Sequence, residues 1–317
     1  MDHKFEIPLM VKVAERYYLR GLKQEEIARE LNIARSTISV ILNAARECGI
    51  VEIKIHDPQT NQDSLSLRIC DRFSLPVCLV VPTAQQNPDN QRKMVVQRAM
   101  HYLNDIISPG MTIGLAWGRT CSDFVDVYEA RQPLSNIQVA PLVGGSNQNA
   151  PYFQINEMVR RLAGQLSGQA FFIHAPASCA TADEKIFYMQ SSAMKPILDF
   201  WAKLDLVLTG IGSSPKIDQN RREQYTGESG IYHELGEEAV GDICMRYFDV
   251  NGQFLNADIL DRSISIPVAE LRKTGRVIAM ASGIEKAQAI CGALRTGVIH
   301  TLVTDEQTAR SVCEAAG

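Results

Sequence analysis

Residues 24–42 read QEEIARELNIARSTISVIL, and this stretch decides the fold of the N-terminal part of the chain. Its first half places three apolar residues on one face of a short helix: Ile27, Ala28 and Leu31. That helix is predicted over residues 24–31, and Asn32 is predicted to break it. A second helix follows from residue 35 to about residue 48, with apolar side chains at the spacing i, i+3, i+4 and i+7. Two short helices joined by a tight turn are typical of a helix-turn-helix.

The flanking residues extend this pattern on both sides. Upstream, a further helix is predicted to end at Gly21 and to present an apolar stripe, made of Met10, Val13, Ala14 and Tyr17. Downstream, apolar and polar residues alternate through 51–56, which predicts a strand with one buried face in the position of a wing. Residues 1–56 are therefore predicted to form a small, all-α, winged helix-turn-helix domain.

The outward face of the predicted third helix carries short polar groups, which suit base edges and phosphates in a DNA major groove. Candidate DNA-binding residues are Lys23, Gln24, Arg35, Ser36, Thr37, Ser39, Val40 and Asn43. A plain three-helix bundle used for protein contacts would show the same periodicity, so the helical pattern leaves both interpretations open. For the aromatic pair Tyr17 and Tyr18, one core ring and one surface ring is the favoured interpretation over contact with DNA or a ligand.

Composition places the chain among folded proteins of the cytosol. It has 317 residues, of which 45% are hydrophobic and 21% charged, and no apolar run approaches the length of a membrane span. The eight cysteines and six histidines show no metal-ligand spacing, so neither a metal nor a cofactor is expected. The N-terminus lacks the apolar segment of a signal peptide, which favours a cytoplasmic location.

The net charge of −4 does not by itself point to nucleic acid. Residues 1–56 hold nine Lys/Arg and eight Asp/Glu, so the acidity belongs to the remainder of the chain. This weakens the charge argument against DNA binding, although the segment still has no strongly basic footprint.

The polar stretch at 57–62 is predicted to be a linker. After it, short apolar strands are predicted to alternate with helices. Strands are predicted at 77–81, 112–116, 139–143, 170–174, 206–209, 277–280 and 301–303. Helices are predicted at 64–73, 91–107, 155–166, 285–294 and 306–313. This alternation is typical of an α/β domain with a parallel sheet that is covered on both faces.

Five glycine-containing or small-residue loops are predicted to follow strands at one edge of that sheet. They are GLAWGRT (114–120), VGGSNQ (143–148), HAPAS (174–178), TGIGSS (209–214) and ASGIEK (281–286). Open α/β sheets bind ligands outside this edge, where loop N–H groups attract phosphate or hydroxyl oxygens. A binding pocket is therefore predicted there, although at least one loop should use its glycines only for a tight turn.

Three polar residues near these loops are candidates for ligand contact. Lys286 is predicted in the first turn of a helix, where a bound anion would offset the unfavourable helix dipole; a solvated surface lysine is the alternative. Asp242 could accept sugar hydroxyls or could cap a turn. Arg119 could hold a phosphate or could pair with an acid. No phosphate-binding G-x-x-x-x-G-K motif, G-x-G-x-x-G motif or catalytic triad is found.

Several segments taken in order resemble the SorC/DeoR-like family of sugar-responsive bacterial regulators, in its sorbose or sugar-alcohol branch. The segments are GLKQEEIARELNIARSTIS, GIVEIKI, GMTIGLAWGRT, PLVGG, LVLTGIG, AVGDICMRYFDVNGQ and SGIEKAQAICGALRTGVIHTLVTDEQTA. The resemblance implies a Rossmann-like effector domain over 57–317, similar to sugar-phosphate isomerases and deaminases, and assembly as a homodimer or homotetramer.

The resemblance also implies where the effector lies. Phosphate is expected near residues 144–147 and Lys286, sugar hydroxyls at Asp242, and the lining at residues 117–120. The effector-binding candidates are Trp117, Gly118, Arg119, Thr120, Gly144, Gly145, Ser146, Asn147, Asp242 and Lys286.

The prediction is a transcriptional regulator whose operator-DNA binding is controlled by a sugar, a sugar alcohol or a sugar phosphate. Two other functions fit parts of the sequence. A sugar-phosphate isomerase or deaminase carrying a DNA-binding module would have the same loops, but no convincing acid/base pair is found for it. A DNA-bridging protein without a ligand is the third hypothesis.

Overall fold

The computed structural model describes residues 5–51, 61–83, 87–146, 151–213, 235 and 238–316, without the side chains of 61–63 and 259. The chain divides into two compact units, Met1–Gln59 and Thr60–Gly317. The predicted domain boundary at residue 56 and most of the predicted wing strand lie outside the described residues. Both therefore stay predictions.

Unit 1 contains three α-helices within the described residues. They are α1 (Ile7–Ala14), α2 (Gln24–Leu31) and α3 (Arg35–Glu47). Their apolar faces meet in one small core, made of Met10, Val13, Ile27, Ile38, Ile41, Leu42 and Ala45. Asn32, the predicted break, adopts the left-handed conformation, with φ 53°, and its N–H is bonded to the end of α2. The backbone therefore reverses within three residues, and α3 packs against both α1 and α2.

The end of the first helix differs from the sequence prediction. A π-helical turn, Glu15–Leu19, follows α1 directly. The wider turn shifts the side-chain register, because each π-turn contains one more residue than an α-turn. Tyr17 and Tyr18 are consequently both 36% exposed and pack edge to face at 4.9 Å. The prediction that one ring of this pair is in the core was wrong.

Unit 2 contains a parallel sheet of seven strands among its described residues. They are β1 (Val77–Val81), β2 (Thr112–Leu115), β3 (Gln138–Pro141), β4 (Gln169–Ala170), β5 (Leu206–Gly210), β9 (Arg276–Met280) and β10 (Thr301–Asp305). A separate antiparallel sheet comprises β6 (Gly212–Ser213), β7 (Gly241–Ile243) and β8 (Arg246–Phe248). Sequence analysis did not predict this small sheet, because its strands are only two or three residues long.

The helices of unit 2 fall into two packed groups and a set of shorter connections. One group is α5 (Pro88–Ile106), α6 (Arg119–Val127) and α7 (Ile155–Gln165). The other is α4 (Asn61–Phe73), α12 (Ala287–Arg295) and α13 (Glu306–Ala315). The shorter helices are α8 (Ala182–Gln190), α9 (Lys195–Trp201), α10 (Asp258–Asp261) and α11 (Val268–Lys273). The central strands β5, β9 and β10 are almost entirely buried, as expected for a parallel sheet enclosed by helices.

Strand order fixes where a ligand can bind. The order in the large sheet is β1-β10-β9-β5-β2-β3-β4. From β2 the chain moves outward through β3 and β4, and it then returns to the other side of β2 to form β5. The order therefore reverses between β2 and β5, which opens a crevice at the carboxyl ends of these two strands.

Most predicted strands and helices are found with small shifts at their ends. The exception is the strand predicted at 170–174, of which only residue 170 is in β4. Beyond it, Ile173 N–H and C=O bond to the Asn156 side chain instead of to a neighbouring strand. The helix predicted from residue 64 begins earlier, at Asn61, so the predicted linker is shorter.

Candidate functional site

A cleft of about 1000 Å³ lies at the carboxyl ends of β2, β5 and β9, where the strand order reverses. The residues that follow these three strands line it, together with the hairpin of β7 and β8 and the first turn of α5. The position is the one predicted for a ligand at the edge of an open α/β sheet. Six of the ten predicted effector residues line this cleft: Trp117, Gly118, Arg119, Thr120, Asp242 and Lys286.

The first turn of α6 forms one wall of the cleft. Gly118 is the N-cap, with φ 113°, a backbone conformation that L side chains rarely adopt. No acidic residue is found in this turn and no side chain caps it. The first N–H groups of α6 and its positive dipole end therefore lie at the cleft, and the first turn itself supplies no carboxylate to neutralise them. Arg119 lies in the same turn and has no ion-pair partner in the described part of the chain.

Lys286 reaches the cleft from the loop after β9. It lies in a short 3-10 turn, Ile284–Lys286, immediately before α12, rather than inside the first turn of the α-helix. Its Nζ donates a hydrogen bond to the Ile211 carbonyl at 3.0 Å and is half-buried. The ammonium group also lowers the pKa of Cys121, although burial dominates and raises that pKa to about 12. The alternative of a solvated surface lysine therefore does not describe Lys286.

Asp242 lies on β7, opposite Tyr247 of β8. Its Oδ2 accepts the N–H of Met245 at 3.1 Å. The turn between these strands is unusual, because Cys244 and Met245 both have positive φ, 52° and 61°. Such a turn normally contains Asn and Gly, and each L residue here costs about 1–2 kcal/mol. Backbone strain at a ligand-facing turn is a common feature of binding sites.

The Gly144–Ser146 segment is placed differently from the expectation that it surrounds a phosphate. These residues are not among the described lining of the cleft. Gly144 N–H donates to the Ile264 carbonyl, and Gly145 exchanges backbone hydrogen bonds with Ala175 and Ala177. A Cβ on Gly144 would lie 2.3 Å from the Pro176 carbonyl oxygen, so this glycine permits close backbone packing. Asn147 lies outside the described residues, and its predicted role stays a prediction.

The cleft also contains residues that sequence analysis missed. Trp117, Tyr152 and Phe153 form an aromatic cluster, with ring centroids 5.2 Å and 4.8 Å apart for the two adjacent pairs. The Gly118 N–H donates to the Tyr152 carbonyl at 2.9 Å, which ties this cluster to the start of α6. No sequence pattern indicated it, because residues 151–153 form only one 3-10 turn between two predicted elements.

Arg92 is a second missed residue. It lines the cleft from α5, and its guanidinium pairs with Asp123 at 2.5 Å and with Asp89 at 3.0 Å. Burial is the largest single effect and lowers the pKa of Arg92, but the hydrogen bonds and charges of these two carboxylates together raise that pKa above its ordinary value. The i,i+3 spacing between Asp89 and Arg92 could have indicated their ion pair from the sequence. The contact between Arg92 and Asp123 joins α5 to α6, so it can be identified only from the fold.

The thiols in the cleft wall are protonated. Burial raises the pKa of both Cys121 and Cys244 to about 12, far from the range of a thiolate nucleophile. The described lining includes the acids Asp89, Asp242 and Glu285 and no histidine. Groups of three or more His, Cys, Asp or Glu that could hold a metal are absent from the described residues.

In unit 1, the candidate DNA-binding residues remain accessible. Among the described residues of α3, Arg35, Ser36, Val40 and Asn43 are exposed, and Thr37 and Ser39 are partly exposed. Arg35 pairs with Glu25 of α2 at 3.4 Å in an exposed ion pair, which contributes little stability. Lys23 is exposed and Gln24 partly so at the start of α2, where the Lys23 N–H donates to Glu26 Oε2 at 2.7 Å. The Asn43 Oδ1 accepts a hydrogen bond from Arg46 at 2.7 Å, and this exposed bond leaves the side chain at the surface.

Comparison with known proteins now decides the family. The family model described as "Putative sugar-binding domain" matches residues 57–314. The chain belongs to this family. It is 30% identical over 310 residues to the sorbitol operon regulator of Klebsiella pneumoniae, covering 98% of each protein. The crystal structure of that full-length regulator, SorC, superposes with a TM-score of 0.85 and 30% identity, covering 98% of this chain and 99% of SorC.

Other members of the family are also regulators. The deoxyribonucleoside regulator of Bacillus subtilis (strain 168) is 26% identical over 309 residues, 96% of each chain. The erythritol catabolism regulatory protein EryD of Brucella abortus (strain 2308) is 25% identical over 312 residues, again 96% of each chain. This chain is accordingly a sugar-responsive transcriptional regulator, and the predicted resemblance to the SorC family is confirmed. Among the described helices, none is long and apolar enough to cross a lipid bilayer.

Proposed function

We propose that residues 1–56 form a winged helix-turn-helix that binds operator DNA, and that the Rossmann-like unit from residue 57 binds a phosphorylated sugar or sugar alcohol. The observation that carries this proposal is the cleft at the switch point of the sheet, where the open N-terminus of α6 faces Lys286. The regulated genes encode carbohydrate-utilisation proteins, and the protein acts in the cytoplasm. The relatives named for sorbitol, erythritol and deoxyribonucleosides support a polyhydroxylated effector.

The effector is held by its charge and by its hydroxyls. The phosphate lies at the N–H groups of residues 119–121, where the helix dipole and Lys286 favour an anion. Arg119, without an ion-pair partner in the described residues, adds a second cation to this position. Asp242 accepts sugar hydroxyls from the opposite wall. This arrangement moves the phosphate from the predicted Gly144–Asn147 segment to the start of α6.

DNA is read by α3. Asn43 and Ser39 contact base edges in the major groove, Val40 contacts a thymine methyl group, and Arg35 contacts a phosphate. A three-helix bundle that binds a protein would also leave this surface exposed, so measured DNA binding separates the two functions. Lys23 and Gln24, at the start of α2, hold a second phosphate.

Binding at the two units is linked through a homodimer or homotetramer. The effector changes the geometry of the assembly and hence the spacing of the two α3 helices on operator half-sites. The cleft binds its ligand without turnover, and the names of the relatives, which are regulators, support this part of the proposal. Incubation with a panel of sugar phosphates is expected to return them unchanged; conversion of any one of them would support the isomerase or deaminase alternative.

The decisive experiment measures DNA binding by fluorescence anisotropy, using fragments upstream of the neighbouring genes, with and without sugars, sugar alcohols and their phosphates. One fragment should bind in preference to random DNA, and one class of compound should change its Kd. Arg35→Gln should weaken binding to all sequences and lower the salt slope by about 1, and Asn43→Ala should cost about 1–3 kcal/mol on the specific site only. Lys12→Gln, an equally exposed charge removal on α1, is the matched control. Absence of any preferred fragment at low salt would contradict the proposal.

A further inference from the structure

The segment TDEQTA (304–309) lies behind the cleft, and the described lining of the cleft includes only Gln307 from it. Asp305 ends β10, and its carboxylate is 1% exposed. It accepts three hydrogen bonds: from the Thr308 N–H at 3.0 Å, from the Thr308 hydroxyl at 2.6 Å and from the Thr83 hydroxyl at 3.5 Å. Capping of α13 accounts for the first of these bonds but not for the Thr308 hydroxyl.

The Thr308 hydroxyl connects Asp305 to the loop that carries Lys286. Thr308 is fully buried, and its Oγ1 accepts the N–H of Gly283 at 2.8 Å while donating to Asp305. Gly283 has φ 116°, and its carbonyl accepts the Lys286 N–H at 3.0 Å. Lys286 then reaches across the cleft edge to the Ile211 carbonyl. A continuous chain of hydrogen bonds thus runs from a buried carboxylate to the cation of the cleft.

We propose that Thr308 is a positioning residue for effector binding: its hydroxyl, oriented by Asp305, fixes Gly283 and so holds Lys286 where it meets the anion of the ligand. The ligand named in this inference rests on the proposed function, whereas the role of Thr308 in fixing the loop does not. Gly283 has no side chain to restrict its conformation, so a loop hinged on it needs an external hydrogen bond to be fixed. Buried, fully satisfied polar groups provide such rigidity.

Hydrogen exchange in the unliganded full-length protein tests the geometry alone. Thr308→Val keeps the shape but removes both hydrogen bonds, so exchange in the peptide spanning residues 281–287 should rise roughly tenfold. Thr308→Ser keeps the hydroxyl and should restore protection. Thr304→Val is the matched control, because Thr304 is equally buried but its Oγ1 has no hydrogen-bond partner among the described residues. Unchanged exchange in Thr308→Val would overturn the proposal.

A double-mutant cycle tests the effect on binding, with sorbitol 6-phosphate, glucose 6-phosphate and inorganic phosphate as probes in calorimetry. Thr308→Val should raise the Kd roughly 3- to 10-fold for a probe that binds, the equivalent of one hydrogen bond. In a Lys286→Met background the same substitution should have no further effect, because Thr308 acts through Lys286. Additive losses would mean a general structural role and would overturn the inference. If the wild type binds no phosphorylated probe while the exchange result holds, the proposed effector class fails and the positioning role stands.

Discussion

At the scale of single residues, the cation of the cleft offers the clearest test of the effector site. Lys286→Met keeps the aliphatic stem and removes the charge, so a phosphorylated effector should bind about 10- to 100-fold more weakly, as expected for a charge-assisted hydrogen bond. For the unphosphorylated form of the same sugar, the substitution should weaken binding much less. Calorimetry with the matched pair of ligands measures both. Lys273→Met, an exposed lysine paired with Glu270, should leave both affinities unchanged.

A second prediction at this scale concerns stability. Thr304 is fully buried in β10, and in the part of the chain that the structure describes its hydroxyl has no hydrogen-bond partner. Thr304→Val removes the desolvated hydroxyl while keeping a β-branched side chain, which suits a strand. The free energy of unfolding should rise by about 1 kcal/mol in urea denaturation. A matched change at Thr296, whose hydroxyl donates to Ala293 and accepts from Val298, should instead lower it.

At the scale of secondary-structure elements, the turn between α2 and α3 depends on one backbone conformation. Asn32 has φ 53°, which an L residue with a larger Cβ substituent adopts at a cost of about 1–2 kcal/mol. Asn32→Gly should therefore leave the stability of unit 1 nearly unchanged, whereas Asn32→Val should lower it by about that amount. Circular dichroism thermal melts of the full-length variants would measure the difference. Equal melting of the two variants would show that the turn tolerates other conformations.

The bounds of the helices and strands also show how much of the fold could be predicted from the sequence. Helix α2 and strand β1 were predicted with exact ends, because apolar periodicity and a breaking residue such as Asn32 are local signals. The π-helical turn after Ala14 was not predicted, since the same i, i+3, i+4, i+7 stripe is compatible with a continuous α-helix. The small sheet of β6, β7 and β8 was also missed, because its pairing depends on contacts between distant residues.

The residues of the candidate site likewise fall into those that the sequence predicts and those that it does not. Trp117 and Lys286 were found because they follow glycines at strand ends, and the edge of a parallel sheet collects such loops. Gly144 has the same signature, yet it serves close packing against Pro176. A glycine that permits approach by a ligand and one that permits approach by backbone look identical in a sequence. Arg92 and Phe153 reach the cleft only through tertiary packing, so no local pattern could identify them.

At the scale of the whole molecule, the two units differ in the size of their hydrophobic cores. The core of unit 1 contains seven buried apolar residues, whereas the core of unit 2 extends through the whole parallel sheet. A small core supplies little net stability, because the fraction of surface that is buried on folding decreases as a domain becomes smaller. We therefore expect differential scanning calorimetry to resolve two transitions, with unit 1 unfolding at the lower temperature.

Effector should move only one of these transitions. A ligand that binds the folded cleft at 100 times its Kd stabilises unit 2 by about 2.7 kcal/mol, which corresponds to roughly 5–11 °C in Tm for a domain of this size. The described lining of the cleft belongs to unit 2, so the transition of unit 1 should stay in place at the same effector concentration. Operator DNA should instead raise the transition temperature of unit 1 and leave that of unit 2 unchanged, because it binds α3 in unit 1. If effector shifted both transitions equally, the two units would unfold as one cooperative body, and regulation would have to be carried by direct contact between them instead of by the geometry of the assembly.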